Sequence, residues 1–181
     1  MHPLNSFMRK LILLFIPALF APLILAKGVY QEPADFIANV FQNEAPKPTA
    51  LWITKKLKPE VKQIMGHDLS SLRVRYWGKD QRTAWILEEV GKEKLITVGV
   101  VVNQGKIETL KVLVFRETRG HEVRYPFFTD QFQGRVLTDN KRLDKPIDGI
   151  SGATLSVRAL RKIARLALFL HQHSKFVHGL P

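Results

Sequence analysis

Leu72, Val74 and Tyr76 alternate with Arg73, Arg75 and Trp77, the period of two expected of a half-buried strand. "TAWILEEVG" (83–91) predicts a second strand. Leu95 to Val102 is a nearly unbroken run of apolar, mostly β-branched residues, which predicts a central strand buried on both faces. "NQG" (103–105) is a turn signal, and "KIETLKVLVFRE" resumes as a strand, so the two form a hairpin. From Thr154 the period changes. Val157, Leu160, Ala164, Ala167 and Leu168 fall on one helical stripe, with Arg158, Arg161, Lys162 and Arg165 on the other side. Two shorter helices come earlier. "DFIANVF" (35–41) would be capped by Asp35, with Phe36, Ile37 and Val40 on its apolar face. "LKPEVKQIMG" (57–66) has Pro59 near its start and Gly66 at its end. The proline-containing "QNEAPKPTA" (42–50) would connect them. The pattern predicts an α+β domain, an antiparallel β-meander packed with helices and closed by a C-terminal helix. No internal repeat interrupts it.

The first 26 residues follow a different rule. Arg9 and Lys10 precede an uninterrupted apolar run from Leu11 to Ala26. A basic start before a short apolar core is the pattern of a bacterial-type secretory signal. The run is shorter than the ~20 residues of a spanning helix and holds Pro17 and Pro22, which favours a signal over a permanent anchor. Ala26 suits the position before a cleavage site, whereas Ile24 is bulky where a small residue is usual. The expected organisation is a signal peptide or N-terminal anchor over 1–26, a helical extension over 27–70 and the main domain over 71–181. The expected location is the periplasm or the outer face of the cytoplasmic membrane.

The chain has no cysteine, which excludes disulfides, thiolate metal sites, iron–sulfur clusters and c-type haem attachment. Its formal net charge is +12, and loss of Arg9 and Lys10 would leave +10. A basic surface attracts nucleic acid, anionic headgroups or acidic proteins. An exported chain rarely meets nucleic acid, so a membrane surface or an acidic redox partner is the better expectation.

The chemistry concentrates in "DGISGATLSV" (148–157), where the long helix begins. A helix N-terminus presents unpaired backbone N–H groups and a dipole that favours negative charge. Ser151, Thr154 or Ser156 could cap those donors. The same donors could instead hold a phosphate, with Gly152 and Ala153 leaving the approach open and Arg158 and Arg161 adding positive potential. Local physics leaves both readings standing.

"DGISGATLS" resembles the motif of the FMN-binding domain family: Asp, then Ser or Thr, Gly, Ala, Thr and a further hydroxyl residue. A second stretch, Phe115 to Arg135, is similar to that family's segment containing Glu117, Thr118, Gly120, Gln131, Phe132 and Gly134. The resemblance covers roughly residues 80 to 170 and leaves 27–70 unaccounted for. The family includes the flavin subunits of the Rnf and sodium-translocating NADH:quinone reductase complexes. The resemblance implies FMN esterified through its phosphate to Thr154 by a flavin transferase that uses FAD as donor. It makes Asp148, Ser151, Gly152, Ala153, Ser156, Glu117, Thr118 and Phe132 the accompanying cofactor-binding residues. Tyr125, Phe127 and Phe128 are further candidates to contact the flavin ring, against a plain core role for each.

Other features rank lower. His171, His173 and His178 near the C-terminus are expected in an exposed tail, and His121 in a solvated loop. One of Glu88 and Glu89 should face water. No metal site, nucleophile–base pair or dinucleotide loop is evident. The expected function is electron transfer by a covalently flavinylated, exported protein, a carrier rather than an enzyme, serving a membrane-bound or cytochrome-type partner. The alternatives are a flavin-dependent reductase of a small molecule, with His121 or Tyr125 as proton donor, and a binding or assembly module that keeps the fold without flavin.

Overall fold

The computed structural model describes residues 28–177. The apolar run at 11–26 and His178 therefore lie outside the described residues. Helix α1 (Pro33–Val40) comes first, followed by strand β1 (Thr49–Trp52) and helix α2 (Lys58–Met65). Strands β2 (Arg73–Lys79), β3 (Arg82–Val90), β4 (Leu95–Asn103) and β5 (Lys106–Phe115) follow in succession. A loop region with the short helix α3 (Pro126–Thr129) leads to the long helix α4 (Thr154–Gln172). The five strands lie in sequence order, each antiparallel to the next. The expected α+β meander is what forms.

Alternation in β4 sends Ile96, Val98, Val100 and Val102 to one face, where Leu160, Ile163 and Ala167 of α4 and Val61 and Ile64 of α2 cover them. Val101 points the other way, with Ala84 and Leu113, onto Phe36, Ile37 and Phe41. The sheet is therefore covered on both sides, by α2 and α4 on one and by α1 on the other. That arrangement accounts for the continuous apolar run of β4. Each fully buried Leu or Ile contributes about 1.5–3 kcal/mol, so the stripe on α4 fixes that helix, and its first turn, relative to the sheet. Polar contacts set its position further. Glu89, on β3 and 5% exposed, accepts from Lys162 Nζ at 2.8 Å and lies 2.8 Å from His67 Nε2. Glu88 faces outward, so the pair divides as the alternation requires.

Three expectations need correction. Asp35 does not cap α1. Glu32 holds the N-cap position with Pro33 opening the helix, a place that suits proline because the missing N–H has no partner there anyway. The connector ends early: residues 49–52 pair with β2 as an edge strand, so 27–70 is not purely helical and is built into the same sheet. Four residues are too few for periodicity to register. The C-terminal histidines are not all in a tail. α4 runs on to Gln172 and buries His171, 2% exposed.

Candidate functional site

The first turn of α4 lies beside the β3–β4 turn and the segment that follows β5. Its N-cap is Ala153, and no side chain caps it. Ser151, Thr154 and Ser156 are all present, yet none is used in that way, which overturns the plain-cap reading. The backbone N–H groups of Thr154, Leu155 and Ser156 consequently have no acceptor among the described residues. Thr154 itself is exposed. Gly152, with φ of 81° and open space where a Cβ would stand, brings the chain into the helix without covering that turn.

A cleft of about 610 Å³ opens in front of these groups. Gly152, Thr154, Leu155 and Ser156 form one wall, and Glu117, Thr118, Arg119 and Lys92 form the opposite one. This falls within the ~300–1,000 Å³ of small-molecule sites. The wall is set close to α4 by Gly120, whose φ is 84° and whose missing Cβ would lie 3.0 Å from Ser156 Oγ. A larger residue at 120 would push the 117–120 segment off the helix start.

Glu117 has a defined task. Its Oε1 accepts the backbone N–H groups of Lys92, Glu93 and Lys94 at 2.5, 2.7 and 2.9 Å, tying the β3–β4 turn to the end of β5. Burial by itself would raise its pKa. The N–H groups of Lys94, Glu93 and Lys92 outweigh that and hold the carboxyl below the ordinary Glu range. Its Oε1 is thus turned toward the β3–β4 turn. Of the two cations on the same wall, Lys92 pairs with Glu93 at 3.2 Å, and Arg119 has no ion pair among the described residues. A phosphate fits this cleft: unpaired N–H donors at a helix N-terminus and an open glycine on one wall, with the Arg119 cation on the wall opposite.

A second cleft of about 700 Å³ adjoins the first and shares Glu117 and Thr118 with it. Tyr30, Phe115, Lys94 and His121 line it. Arg116 also lines it, so this is a mixed recess with the Tyr30 ring at its edge, and it has room for a ring system attached to a phosphate at the adjoining turn. Arg124 stacks between Tyr30 and Tyr125 at 4.2 and 4.6 Å from the ring centroids and donates to Tyr125 Oη at 2.7 Å. His121 meets the edge of Tyr125.

The structure therefore brings Thr154, Gly152, Ala153, Ser156, Glu117 and Thr118 together at one cleft. It places Phe132 elsewhere: fully buried in the core, 5.6 Å from Phe128 centroid to centroid, it cannot touch a ligand in the cleft. Phe128 is buried with it, whereas Tyr125 and Phe127 are exposed and stacked on each other. Asp148 and Ser151 are exposed and lie outside the cleft wall. Asp148 is braced through its backbone N–H, which donates to Gln131 Oε1 at 2.7 Å. The segment around Gln131 and Phe132 thus supports the 147–153 loop from behind. Arg158 and Arg161 do not line the cleft but face a separate groove. Sequence reasoning missed Lys92, Arg119 and Tyr30, since cations in turns and a lone aromatic before α1 carry no signal without the fold.

Residues 91–168 match the FMN-binding domain family, a span running from the β3–β4 turn that Glu117 ties down to within α4. No curated protein matches the chain.

Proposed function

We propose that this chain, which carries a domain of the FMN-binding domain family over residues 91–168, is an exported electron carrier whose FMN is tethered through its phosphate to Thr154. One observation carries the reading. Thr154 stands exposed at an uncapped helix start, beside three backbone N–H groups without acceptors and facing a cleft that Arg119 lines. A threonine that neither caps nor packs, among donors suited to an anion, is placed to carry one. Attachment joins Thr154 Oγ1 to the flavin phosphate of FAD and releases AMP, the hydroxyl proton leaving to solvent or to the transferase.

The residues divide the work. The N–H groups of Thr154, Leu155 and Ser156 and the Arg119 side chain would offset the one charge left on the phosphodiester. Leu155, 40% exposed, and the recess with Tyr30 and Phe115 offer apolar contact to the ring. Glu117 fixes the facing wall. FMN, when bound, supplies reversible electron transfer. The tether keeps the cofactor at high effective concentration where no cytoplasmic pool could replace it. Export rests on the basic start and apolar run at 9–26, and a membrane-bound or cytochrome-type partner on the net positive charge.

A reductase reading has one feature in its favour, His121 at the wall of the second cleft. A substrate-dependent reoxidation rate that falls in His121→Gln would favour it over the carrier.

The test is intact mass and visible absorbance after co-expression with a periplasmic flavin transferase, beside Thr154→Ala. The expected product is yellow after denaturation and heavier by one FMN less one water, with neither property in the variant. Unmodified mass in both chains would remove covalent attachment.

A further inference from the structure

A second concavity of about 490 Å³ runs along the polar side of α4, and five cationic side chains line it: Arg142, Lys145, Arg158, Arg161 and Arg165. It shares no lining residue with the cleft at Thr154. No carboxylate lines it, and none of the five cations forms an ion pair among the described residues. Neighbouring cations are paired. Lys162 and Lys141 hold Glu89 and Glu60, each at 2.8 Å. Asp144, in the same loop as Arg142 and Lys145, is turned away: Oδ1 accepts the Val136 N–H at 3.0 Å and Oδ2 lies 3.6 Å from Arg135.

Two of the guanidinium groups are fixed in advance. Arg161 donates to the Ile147 carbonyl, and Arg165 to the carbonyls of Ile64 at 2.8 Å and Arg161 at 3.3 Å. Arg161 Nε is buried and has no acceptor among the described residues. Burial, and then the charge of Arg142, lowers the pKa of Arg165. Gathering five like charges around one concavity is electrostatically unfavourable unless an anion enters it. Guanidinium forks match tetrahedral oxyanions in bidentate fashion. So many donors exceed what one carboxylate can accept.

We propose that this groove binds a phosphate group, carried by a free phosphorylated compound or by the headgroup of an anionic phospholipid. The site does not depend on flavin attachment. Arg158 lies one turn beyond Thr154 on α4, so a phosphate ligand held here sits beside the flavin site without occupying it.

Calorimetric titration with inorganic pyrophosphate tests the site, using the full chain as the host processes it. Four forms are compared: the flavin-bearing protein, Thr154→Ala, the groove variant Arg142→Gln/Lys145→Gln/Arg158→Gln, and Lys79→Gln/Lys106→Gln/Lys111→Gln. The last removes the same charge outside the groove, and the groove variant keeps both carbonyl-held arginines, so its fold is checked by an unchanged urea midpoint. The expected result is equal binding to the first, second and fourth forms, and binding about tenfold or more weaker to the groove variant. Sedimentation with phosphatidylglycerol–phosphatidylcholine vesicles then separates the sources. Groove-dependent pelleting that pyrophosphate reverses assigns a lipid headgroup; pyrophosphate binding without it assigns a free compound. Absence of pyrophosphate binding, or equal affinity in the groove variant, would overturn the proposal. Binding confined to Thr154→Ala would also overturn it, because the groove would then belong to the flavin's own phosphate.

Discussion

Lowering the pH from 6.5 to 4.5 should destabilise this protein through His171. The ring is 2% exposed near the C-terminal end of α4. Gly105, in the β4–β5 turn, donates its backbone N–H to Nε2 at 3.2 Å, so Nε2 carries the lone pair and Nδ1 the proton. Nδ1–H then donates to Thr83 Oγ1 at 2.8 Å, and that oxygen also accepts from Trp85 Nε1 at 2.9 Å. Protonating Nε2 would set two donors against each other in a dry environment. Burial lowers the His171 pKa from 6.5 to about 4.

Between those values the unfolded chain binds a proton that the folded chain refuses, so stability falls as the pH falls below 6.5. At about 1.36 kcal/mol per pKa unit, the loss from pH 6.5 to 4.5 is about 2–3 kcal/mol. His67 works in the opposite direction. Its pKa is raised by the Asp68 carbonyl and then by Glu89, so its contribution is present at low pH and fades as the pH rises. Urea midpoints of wild type and His171→Gln, measured at pH 7, 6, 5 and 4.5, cancel that background. The variant should be less stable by about 1–3 kcal/mol at pH 7, from disturbed buried hydrogen bonds, and the gap should close as the pH falls. Parallel curves over that range would refute a neutral, proton-refusing His171.

Two further predictions concern the walls of the cleft at Thr154. Gly120→Ala places a Cβ 3.0 Å from Ser156 Oγ at a left-handed φ; it should cost about 1–2 kcal/mol and lower the fraction of flavin-bearing chain in intact-mass spectra. Glu117→Ala leaves the N–H groups of Lys92, Glu93 and Lys94 without their carboxylate, and should lower stability by about 1–2 kcal/mol at pH 7. Because the Glu117 pKa is depressed, the difference between wild type and this variant should shrink as the pH falls through the carboxylate range, read from the same urea midpoints.

The parts of the fold that could be read from the sequence are those in which one periodicity runs for six residues or more. β2 to β5 and α4 meet that condition, since burial of a face imposes the pattern. β1 is too short to meet it, and it is defined by its pairing with β2 rather than by its own residues. His171 misled for a related reason. "HQHSKF" looks solvated by composition, but the helical period carries residue 171 onto the same side as Leu160 and Ala164, where Thr83 and the Gly105 N–H satisfy the ring. Phe132 sits within a motif whose resemblance makes it a ligand contact. Its ring is in the core, and its neighbour Gln131 braces the site by holding the Asp148 N–H.

The hydroxyl residues of 151–156 show what sequence could not decide. Capping and anion binding use the same backbone donors, so the presence of Ser and Thr at a helix start supports either reading equally. They differ in where each side chain points, and that is set by distant residues. Gly152 takes a left-handed turn that leaves Ala153 at the N-cap and Thr154 one position too far along to cap. Ser156 is buried against Gly120, leaving Thr154 as the exposed hydroxyl within the helix's first turn. The facing wall of the cleft is set in the same way, because Glu117 is held by the β3–β4 turn and Arg119 remains beside it. On the proposed reading, selectivity for Thr154 over Ser151 or Ser156 would therefore be a property of the packed domain. A transferase that modifies this chain should act on the folded protein, and peptides spanning 145–160 should be poor substrates. Equal flavinylation of such a peptide and of the folded chain, compared at matched concentration by intact mass, would place the selectivity in the motif alone.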